Sequence, residues 1–478
     1  MNRLKTSSVD ELGTAVIVPT YDRRSLRVGM VHLGLGAFHR AHQALYTEQA
    51  MSLSRSDEWG IIGVSMRSQK VAEQLLPQDG LYSIASEDAS DIELQVVGAI
   101  IDVLVASEDA AAVTAAIARP DVRVLTLTIT EKGYSLGADG RSLDREDEAV
   151  KLDLANPRAP TTAIGILALG LRKRAEAGVA PLTVISCDNL SQNSTVLRKV
   201  LVDYLMSTFP RLLYWLEKNV TFPCSMADRI VPAISDHKKQ RQSELLGLRD
   251  EGAVCTEPFS QWIIEDKFAG AHPDWRSAGA LYVQSIVPYE NIKLGLLNAG
   301  HSAIAYCGLL ANMETVDEVM QDVELRSFVE RLMAEDLIPS LQAPPEFDLA
   351  SYQRQVLARM DNPALGHRCT QIAMDGSEKI SQRWLPSLRG GQSPLLVKAL
   401  SAWCYFVLCT ELVIDDPRAD QLGEMRASTL SMKERLIGVL ACVRIIEESI
   451  GDFAQLCTTL ENHLQKIERA GVKVLLSS

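Results

Sequence analysis

Apolar runs of strand length alternate with helical patterns over the first part of the chain. The run from Arg27 to Leu35 predicts a strand that ends in a glycine turn, and a helix rich in Ala, Gln and Leu follows from about Arg40. Alternating strands and helices are typical of a largely parallel sheet that is covered on both faces. The further strands are predicted at 59–66, 94–105, 122–130 and 181–187, and the further helices at 108–118, 161–177 and 193–207.

The pattern changes near residue 288. A chain of 478 residues is longer than one core usually supports, so two domains are expected. We predict an α/β, doubly wound N-terminal domain over 1–285 and a mostly α-helical C-terminal domain over 286–478. The helical patterns of the second domain lie at 290–312, 316–334, 393–411 and 430–449, with an irregular, proline-containing connection at 336–349.

Composition and charge narrow the class of protein. With 47% hydrophobic and 23% charged residues, the chain has the composition of an ordinary globular enzyme. The net charge of −13 argues against nucleic acid or an anionic membrane as a partner, although a local cationic pocket still allows an anionic small substrate. No apolar run resembles a secretory signal or is long enough to span a bilayer, and the nine cysteines include no Cys-x-x-Cys pair. We therefore expect reduced thiols and a cytoplasmic protein.

One predicted helix of the second domain carries polar groups where aliphatic side chains are usual. Lys293, Asn298 and His301 fall at about 0°, 140° and 80° around an α-helix axis. Glu290, at about 60°, adds a carboxylate one turn before the lysine and is a candidate proton relay. A base, an amide donor and an imidazole suit removal of a proton from an alcohol while hydride leaves its carbon. An exposed helix with scattered polar residues is the alternative explanation of this spacing.

The turn after the first predicted strand reads G-L-G-A-F-H. It matches the first two glycines of a G-x-G-x-x-G dinucleotide motif, at Gly34 and Gly36, and His39 takes the place of the third. Arg40 follows and is a candidate contact for a phosphate or a substrate anion. The second strand ends without the acid that usually holds the ribose hydroxyls, and Arg67 there leaves both NAD and NADP open. A plain strand–helix turn is the alternative.

Several separated segments resemble one enzyme family. The chain is similar to the polyol-specific long-chain dehydrogenases of the mannitol dehydrogenase family, and most of all to the fructuronate reductases (D-mannonate oxidoreductases) among them. The resemblance implies a Rossmann-like N-terminal domain, a helical C-terminal domain, and an NAD-dependent, metal-independent oxidation of a secondary alcohol. The matching segments are the Lys-Asn-His helix and VHLGLGAFHRAHQALY at 31–46, TITEKGY at 128–134, SCDN at 186–189, VTFPCSMADRIVP at 220–232 and EPFSQWIIED at 257–266.

The resemblance also implies roles for single residues. Lys293 is expected to be the general base, with Asn189 and Asn298 as amide donors to the reacting oxygen. Asp228 and His301 are expected to contact substrate hydroxyls or to position the lysine. Burial and the positive charge of oxidised nicotinamide are expected to lower the lysine pKa from about 10.4 toward neutrality. The remaining candidates are Arg229 for the substrate and, for the cofactor, Gly34, Gly36, Ala37, Phe38, Arg40, Arg67, Thr130 and Lys132.

The expected class of substrate follows from the cations. A sugar acid needs a cation for its carboxylate, and residues 367–383 offer Arg368, Lys379 and Arg383. This segment is more similar to fructuronate reductases than to mannitol dehydrogenases, so we expect interconversion of D-mannonate and D-fructuronate. Nearby acidic residues and helix C-termini are alternative partners for these cations.

Two other functions stay open at this point. A neutral polyol substrate, as in a mannitol 2-dehydrogenase, is the alternative within the family. A catalytically idle nucleotide-binding protein is the alternative outside it, but binding alone needs no base. His39 and His42 lie three apart on a predicted helix with no third ligand at a suitable spacing, so no metal is expected. The sequence makes no prediction about the oligomeric state.

Overall fold

Contacts divide the chain into two units, Met1–Val287 and Pro288–Ser478. The computed structural model describes residues 1–137, 139–179, 181–391 and 393–477. The strands are β1 Val16–Ile17, β2 Val28–Leu33, β3 Gly60–Ser65, β4 Tyr82–Glu87, β5 Ile92–Val97, β6 Ile100–Val105, β7 Val124–Leu127, β8 Leu182–Ser186, β9 Val220–Thr221, β10 Ser225–Asp228, β11 Val254–Thr256, β12 Gln261–Glu265 and β13 Leu281–Val283.

A parallel sheet forms the centre of the first unit. Its strands are ordered β6-β3-β2-β7-β8-β9, and every neighbouring pair is parallel. Counted along the chain, this is the order 3-2-1-4-5-6 of the doubly wound Rossmann fold, so that prediction is confirmed. The order reverses between β2 and β7, and ligands of such sheets bind outside the carboxyl ends of the strands at that point.

Helices cover both faces of this sheet because its central strands are apolar on both sides. Successive residues of β2 enter two different cores, since side chains alternate across a strand. Val31 packs with α4, α6 and α7, whereas Met30 packs with α2. The helices of this unit are α1 Ala37–Ala41, α2 Gln43–Ser54, α3 Lys70–Leu75, α4 Ala110–Ile117, α5 Glu148–Ala155, α6 Ala163–Glu176, α7 Asn193–Thr208, α8 Leu212–Asn219 and α9 Asp236–Leu246.

The predicted strand at 94–105 is wrong, because two strands lie there. β5 and β6 are separated at Gly98, whose N–H donates to the Glu48 carboxylate at 2.7 Å. β5 belongs to a second sheet, ordered β1-β5-β4-β11, in which it runs antiparallel to β4. A third sheet is ordered β10-β12-β13. Neither additional sheet is among the predicted elements.

The second unit is helical, as predicted. Its helices α11 and α18 are buried along almost their whole length, which fits sequences that are apolar on all sides. Among the described residues, none of the helices is both long and apolar enough to cross a membrane. The helices are α10 Val287–Ile292, a π-helix Lys293–Asn298, α11 Ala299–Leu310, α12 Val316–Gln321, α13 Val323–Arg331, a π-helix Leu332–Leu337, α14 Leu349–Met360, α15 Cys369–Ala373, α16 Gly376–Arg383, α17 Leu385–Leu388, α18 Pro394–Cys409, α19 Ala419–Ala427, α20 Met432–Cys442, α21 Phe453–Ala470 and α22 Val472–Leu476.

Candidate active site

The glycine turn follows β2 directly, at the point where the strand order reverses. Gly34 has a φ of +100°, and a Cβ there would stand 2.0 Å from the carbonyl oxygen of Thr128, so only glycine fits. A Cβ on Gly36 would meet, among the described residues, only the Gly34 carbonyl oxygen at 3.7 Å. The helix begins at Ala37, with Phe38 as its second residue, and not at about Arg40 as predicted. The backbone of this turn therefore allows the close approach that a pyrophosphate requires.

Buried histidines stand beside the turn. The His32 ring lies 2.7 Å from the Thr126 hydroxyl and 2.9 Å from the Thr128 hydroxyl, and the His39 ring stacks on it at 3.3 Å between centroids. Burial lowers the pKa of His32 to about 3 and also lowers that of His39, so both rings are neutral at physiological pH. His42 interrupts the predicted helix between α1 and α2. His39, at the third position of the glycine motif, is thus fully buried and stacked on His32.

Arg40 is buried next to the same turn. Its Nε donates to the Gly36 carbonyl at 3.3 Å, its Nη1 donates to the Gly252 carbonyl, and its guanidinium lies over the Tyr82 ring. Burial lowers the pKa of Arg40 from its usual value. In this placement the side chain joins the glycine turn to the segment before β11.

Exposed cations follow the two strands that flank β2. Arg67 comes after β3, and the Ser107 hydroxyl donates to its carbonyl at 3.1 Å. Lys132 lies in the turn after β7. Because β2 lies between β3 and β7, the carboxyl ends of these strands lie along one sheet edge together with the glycine turn. At the end of β3, where related folds often carry an acid for the ribose hydroxyls, the Ser65 hydroxyl instead donates to the Ser68 carbonyl.

Asn189 lies exposed in the turn after β8. The amide of Asn193, a fully buried residue, donates to the carbonyl of Asp188 at 3.0 Å and to that of Ser225 at 2.8 Å. Ser225 begins β10, which ends at the buried Asp228. Asn193 therefore ties the turn that carries Asn189 to the strand that carries Asp228. No sequence pattern pointed to Asn193.

Arg229 follows Asp228 and is also buried. Its guanidinium donates to the carbonyls of Ala41 at 2.6 Å and Glu257 at 2.9 Å. Burial lowers its pKa to about 10, which still leaves it charged at neutral pH. Arg229 therefore links β10 to α1 and to the segment before β12.

The helix of the second unit that carries the predicted base is not α-helical throughout. A π-helix begins at Lys293 and ends at Asn298. In a π-helix the backbone hydrogen bonds join residues five apart. Two residues five apart therefore lie one above the other on the helix surface, as residues four apart do in an α-helix. The predicted separation of about 140° is therefore wrong, and Lys293 and Asn298 share one face. Leu296 and Leu297 of the same segment are buried, whereas Lys293 and Asn298 are only half-buried. π-helices occur frequently at functional sites.

Two more predicted residues flank this π-helix. Glu290 and His301 are both buried, on α10 and α11 respectively. The His301 ring meets the His367 ring edge-on at 5.5 Å between centroids. Burial, and then the charge of Lys379, lowers the pKa of His367 and favours a neutral ring. His367 is a neighbour of the candidate site that the sequence did not indicate.

Of the three candidate substrate cations, Arg383 lies against this helix. Its Nη1 donates to the Asn298 carbonyl at 3.2 Å and to the Ser302 hydroxyl at 2.7 Å. Burial lowers the pKa of Arg383 to about 10, so it remains charged at neutral pH. Arg368 is exposed just before α15. Lys379 of α16 donates to the carbonyls of Met374 at 2.6 Å and Ile372 at 3.5 Å, at the end of α15.

The chemistry of the donor groups is that of proton transfer and amide hydrogen bonding. Among the described residues, no group of three or more His, Cys, Asp or Glu side chains stands close enough to hold a metal ion. The nine cysteines are free, and seven of them are buried.

Comparison with known proteins gives a consistent family. The model of the mannitol dehydrogenase Rossmann domain matches residues 28–277, and that of the mannitol dehydrogenase C-terminal domain matches residues 285–468. The chain belongs to the mannitol dehydrogenase family. The resemblance seen in the sequence is thus confirmed, as are the Rossmann-like fold and the predicted class of enzyme, an oxidoreductase of this family.

Individual members of the mannitol dehydrogenase family differ in name. A D-mannonate oxidoreductase of Escherichia coli (strain K12) is 40% identical over 394 residues, covering 80% of this chain and 81% of that protein. A polyol:NADP oxidoreductase of Gluconobacter oxydans (strain 621H) is 38% identical over 387 residues, covering 80% and 79%. A mannitol 2-dehydrogenase of Pseudomonas fluorescens, solved as a ternary complex with NAD and D-mannitol, has a TM-score of 0.86 at 31% identity, covering 99% and 98%.

Proposed function

We propose that this enzyme uses NAD to interconvert D-mannonate and D-fructuronate. One observation carries the catalytic part of the proposal: the π-helix begins at Lys293 and ends at Asn298, so an amine and an amide share one helix face. The substrate part is supported by Arg383, which is charged and bound to the Asn298 carbonyl. It is also supported by the 40% identity to a D-mannonate oxidoreductase.

The chemistry that NAD would supply when bound is acceptance of the hydride from the alcohol carbon. Lys293 in its neutral form accepts the hydroxyl proton as the general base. Asn298, and Asn189 of the first unit, donate amide hydrogens to the oxygen on which negative charge develops, and each such donor is typically worth ~3 kcal/mol. Neutral amides bind a carbonyl oxygen as well as an alkoxide, so the same groups serve both directions. His301 and Asp228 contact substrate hydroxyls, and Glu290 relays the proton.

The cofactor proposal rests on the carboxyl end of the parallel sheet. Gly34 and Gly36 leave backbone open for a pyrophosphate, and Ala37 and Phe38 begin the helix beside it. Arg67 stands where an acid usually binds the ribose, so we extend the proposal to NADP as a second, weaker cofactor. A polyol:NADP oxidoreductase among the relatives supports this extension. Arg40, beside the glycine turn, and Thr130 and Lys132, after β7, are the remaining proposed cofactor contacts.

The charge of the substrate distinguishes the two candidates within the family. D-mannonate carries a carboxylate where D-mannitol carries a hydroxymethyl group, so the two molecules form a matched pair. Arg383 favours the acid, because an arginine fork pairs well with a carboxylate. The neutral polyol is the second candidate, and the 31% identity to a mannitol 2-dehydrogenase favours it.

A substrate panel tests the proposal. Initial rates are measured by nicotinamide absorbance with NAD and with NADP, each combined with D-mannonate, other aldonates, D-mannitol, D-arabinitol and D-sorbitol. We expect the highest kcat/KM with NAD and D-mannonate. A higher kcat/KM for D-mannitol than for D-mannonate would replace the sugar acid by the neutral polyol, and turnover with no member of the panel would contradict both.

A further inference from the structure

Thr130 has a backbone conformation that a threonine rarely adopts. Its φ is 62° and its ψ is 165°, a region that is populated almost solely by glycine. A β-branched side chain makes this conformation more costly still. Thr130 follows β7, which lies beside β2 where the strand order reverses. Strained residues of this kind persist only where their surroundings hold them, and they cluster at functional sites.

The carboxylate of Asp188 holds Thr130 in place. One oxygen accepts the Thr130 N–H at 2.8 Å, and the other accepts the Ile129 N–H at 3.1 Å and the Tyr134 hydroxyl at 2.6 Å. Hydrogen bonds to an ionised carboxylate are about twice as strong as those between neutral groups. Asp188 thus binds the turn after β7 at its beginning and, through Tyr134, at its end.

Asp188 is itself fixed by its neighbours. The Ser186 hydroxyl lies 2.5 Å from the Tyr134 oxygen and accepts the Asp188 N–H at 3.3 Å. The Asn193 amide donates to the Asp188 carbonyl at 3.0 Å. Asn189 is the next residue along the chain. Any shift of the Asp188 backbone therefore moves Asn189, and the Asp188 side chain connects that backbone to the turn after β7.

We propose that Asp188 is a positioning residue that locks the turn after β7 to the turn that carries Asn189, by holding Thr130 in a glycine-like conformation. The lock sets the direction of the Asn189 amide toward the reacting oxygen. The inference rests on the proposed role of Asn189. The strained backbone of Thr130 favours a different conformation. The hydrogen bonds to the Asp188 carboxylate are therefore needed to keep Thr130 in the conformation observed.

The first test compares two aspartates whose carboxylates accept similar sets of hydrogen bonds. Asp188→Asn is expected to lower kcat by about 10²-fold, the loss that a misplacement near 1 Å can cause. Asp153→Asn is the control, since Asp153 accepts the N–H groups and hydroxyls of Thr161 and Thr162 at the start of α6. The control is expected to lower Tm without lowering kcat. Equal losses of kcat in both variants would overturn the proposal.

The second test measures the coupling between Asp188 and Thr130. Glycine adopts the observed conformation without strain, so Asp188→Asn is expected to cost at least about tenfold less in kcat when Thr130→Gly is also present. A crystal structure of Asp188→Asn with Thr130 intact is expected to show a negative φ at residue 130. Additive effects on kcat, or an unchanged φ, would overturn the lock.

A third variant separates this proposal from the proposed function. Asn189→Ala is expected to lower kcat as much as Asp188→Asn does. Normal turnover in Asn189→Ala would contradict the donor role of Asn189 and, with it, the inference. A loss in Asn189→Ala with normal turnover in Asp188→Asn would overturn the lock alone and leave the proposed function intact.

Discussion

The guanidinium of Arg383 donates a hydrogen bond of 3.2 Å to the main-chain carbonyl of Asn298. A positive charge therefore lies at the end of the π-helix that carries both the proposed base and one proposed amide donor. The same guanidinium reaches the Ser302 hydroxyl one turn later. α16, which ends at Arg383, and the helix of Lys293 are thus joined by a charged group.

This placement predicts the effect of removing the cation. Arg383→Ala should raise the KM for D-mannonate by the equivalent of about 2–3 kcal/mol, roughly 30- to 150-fold, because a charged hydrogen bond to the carboxylate is lost. Turnover of D-mannitol should change much less. Arg389→Ala, at an exposed arginine just after α17, is the control. A similar rise in KM for both substrates would show that Arg383 does not bind the carboxylate.

Loss of the proposed base should stop the chemistry and spare cofactor binding. Lys293→Ala is expected to lower kcat by about 10²–10⁴-fold, the usual cost of losing a general base, with little change in the NAD Kd. Small primary amines in the buffer should restore part of the activity by replacing the missing Nζ. Near-normal turnover of the variant at neutral pH would refute the assignment of Lys293.

Stability should depend on pH through Glu48. Burial raises its pKa to about 7, although the Tyr21 hydroxyl and the Gly98 N–H donate to it at 2.6 and 2.7 Å. A carboxyl whose pKa is raised by folding stabilises the fold below its unfolded pKa and loses that contribution as the pH rises through its folded pKa. The free energy of unfolding should therefore fall by roughly 3 kcal/mol from this group between about pH 4.5 and pH 7.

Denaturant titrations at several pH values check this expectation. Glu48→Gln should remove the Glu48 part of the pH dependence, so that the difference in unfolding free energy between variant and parent grows with pH. Glu73→Gln, at an exposed glutamate of α3, is the control and should leave the profile unchanged. Parallel profiles for Glu48→Gln and the parent would contradict the raised pKa.

Cofactor preference should follow the charge at Arg67. Arg67→Glu is expected to lower the kcat/KM ratio of NADP to NAD by about 10- to 100-fold, since an acid there binds ribose hydroxyls and repels a 2′-phosphate. Arg24→Glu makes the same change of charge at another exposed arginine and should leave the ratio unaltered. An unchanged ratio in Arg67→Glu would remove Arg67 from the cofactor site.

Chelation should leave the enzyme active. The proposed chemistry uses an amine, amides and NAD, so prolonged treatment with EDTA is expected to leave kcat unchanged. Loss of activity that zinc restores would show that a metal takes part.

The sequence predicted those strands whose residues are all buried. β3, β7 and β8 are buried throughout and mostly apolar because helices cover both faces of their sheet, and such runs are visible without a structure. β4 reads Y-S-I-A-S-E, a mixture without a clear period, and it was not predicted. α21 was also missed, although its buried residues Leu456, Leu460, Leu464 and Ile467 have the spacing of an amphipathic helix.

The candidate site was predictable only in part. Lys293, Asn298 and His301 stand out because polar groups interrupt an apolar helix. The π-helix was not predictable, since six residues are too few to show a period different from 3.6. The bond from the Thr130 N–H to Asp188 joins residues 58 apart, and such pairing arises from tertiary contacts that no local pattern records.

The π-helix also has a consequence at the level of the gene. A π-helical turn contains one residue more than an α-helical turn. The insertion or deletion of a single codon therefore converts one kind of turn into the other. Deleting Gly295 would leave Lys293 and Asn298 four apart, on one face of an ordinary α-helix. A homologue with Lys-x3-Asn on a regular helix would thus present the same two groups as this chain does with Lys-x4-Asn, and a gap of one residue in an alignment at this point marks conserved geometry.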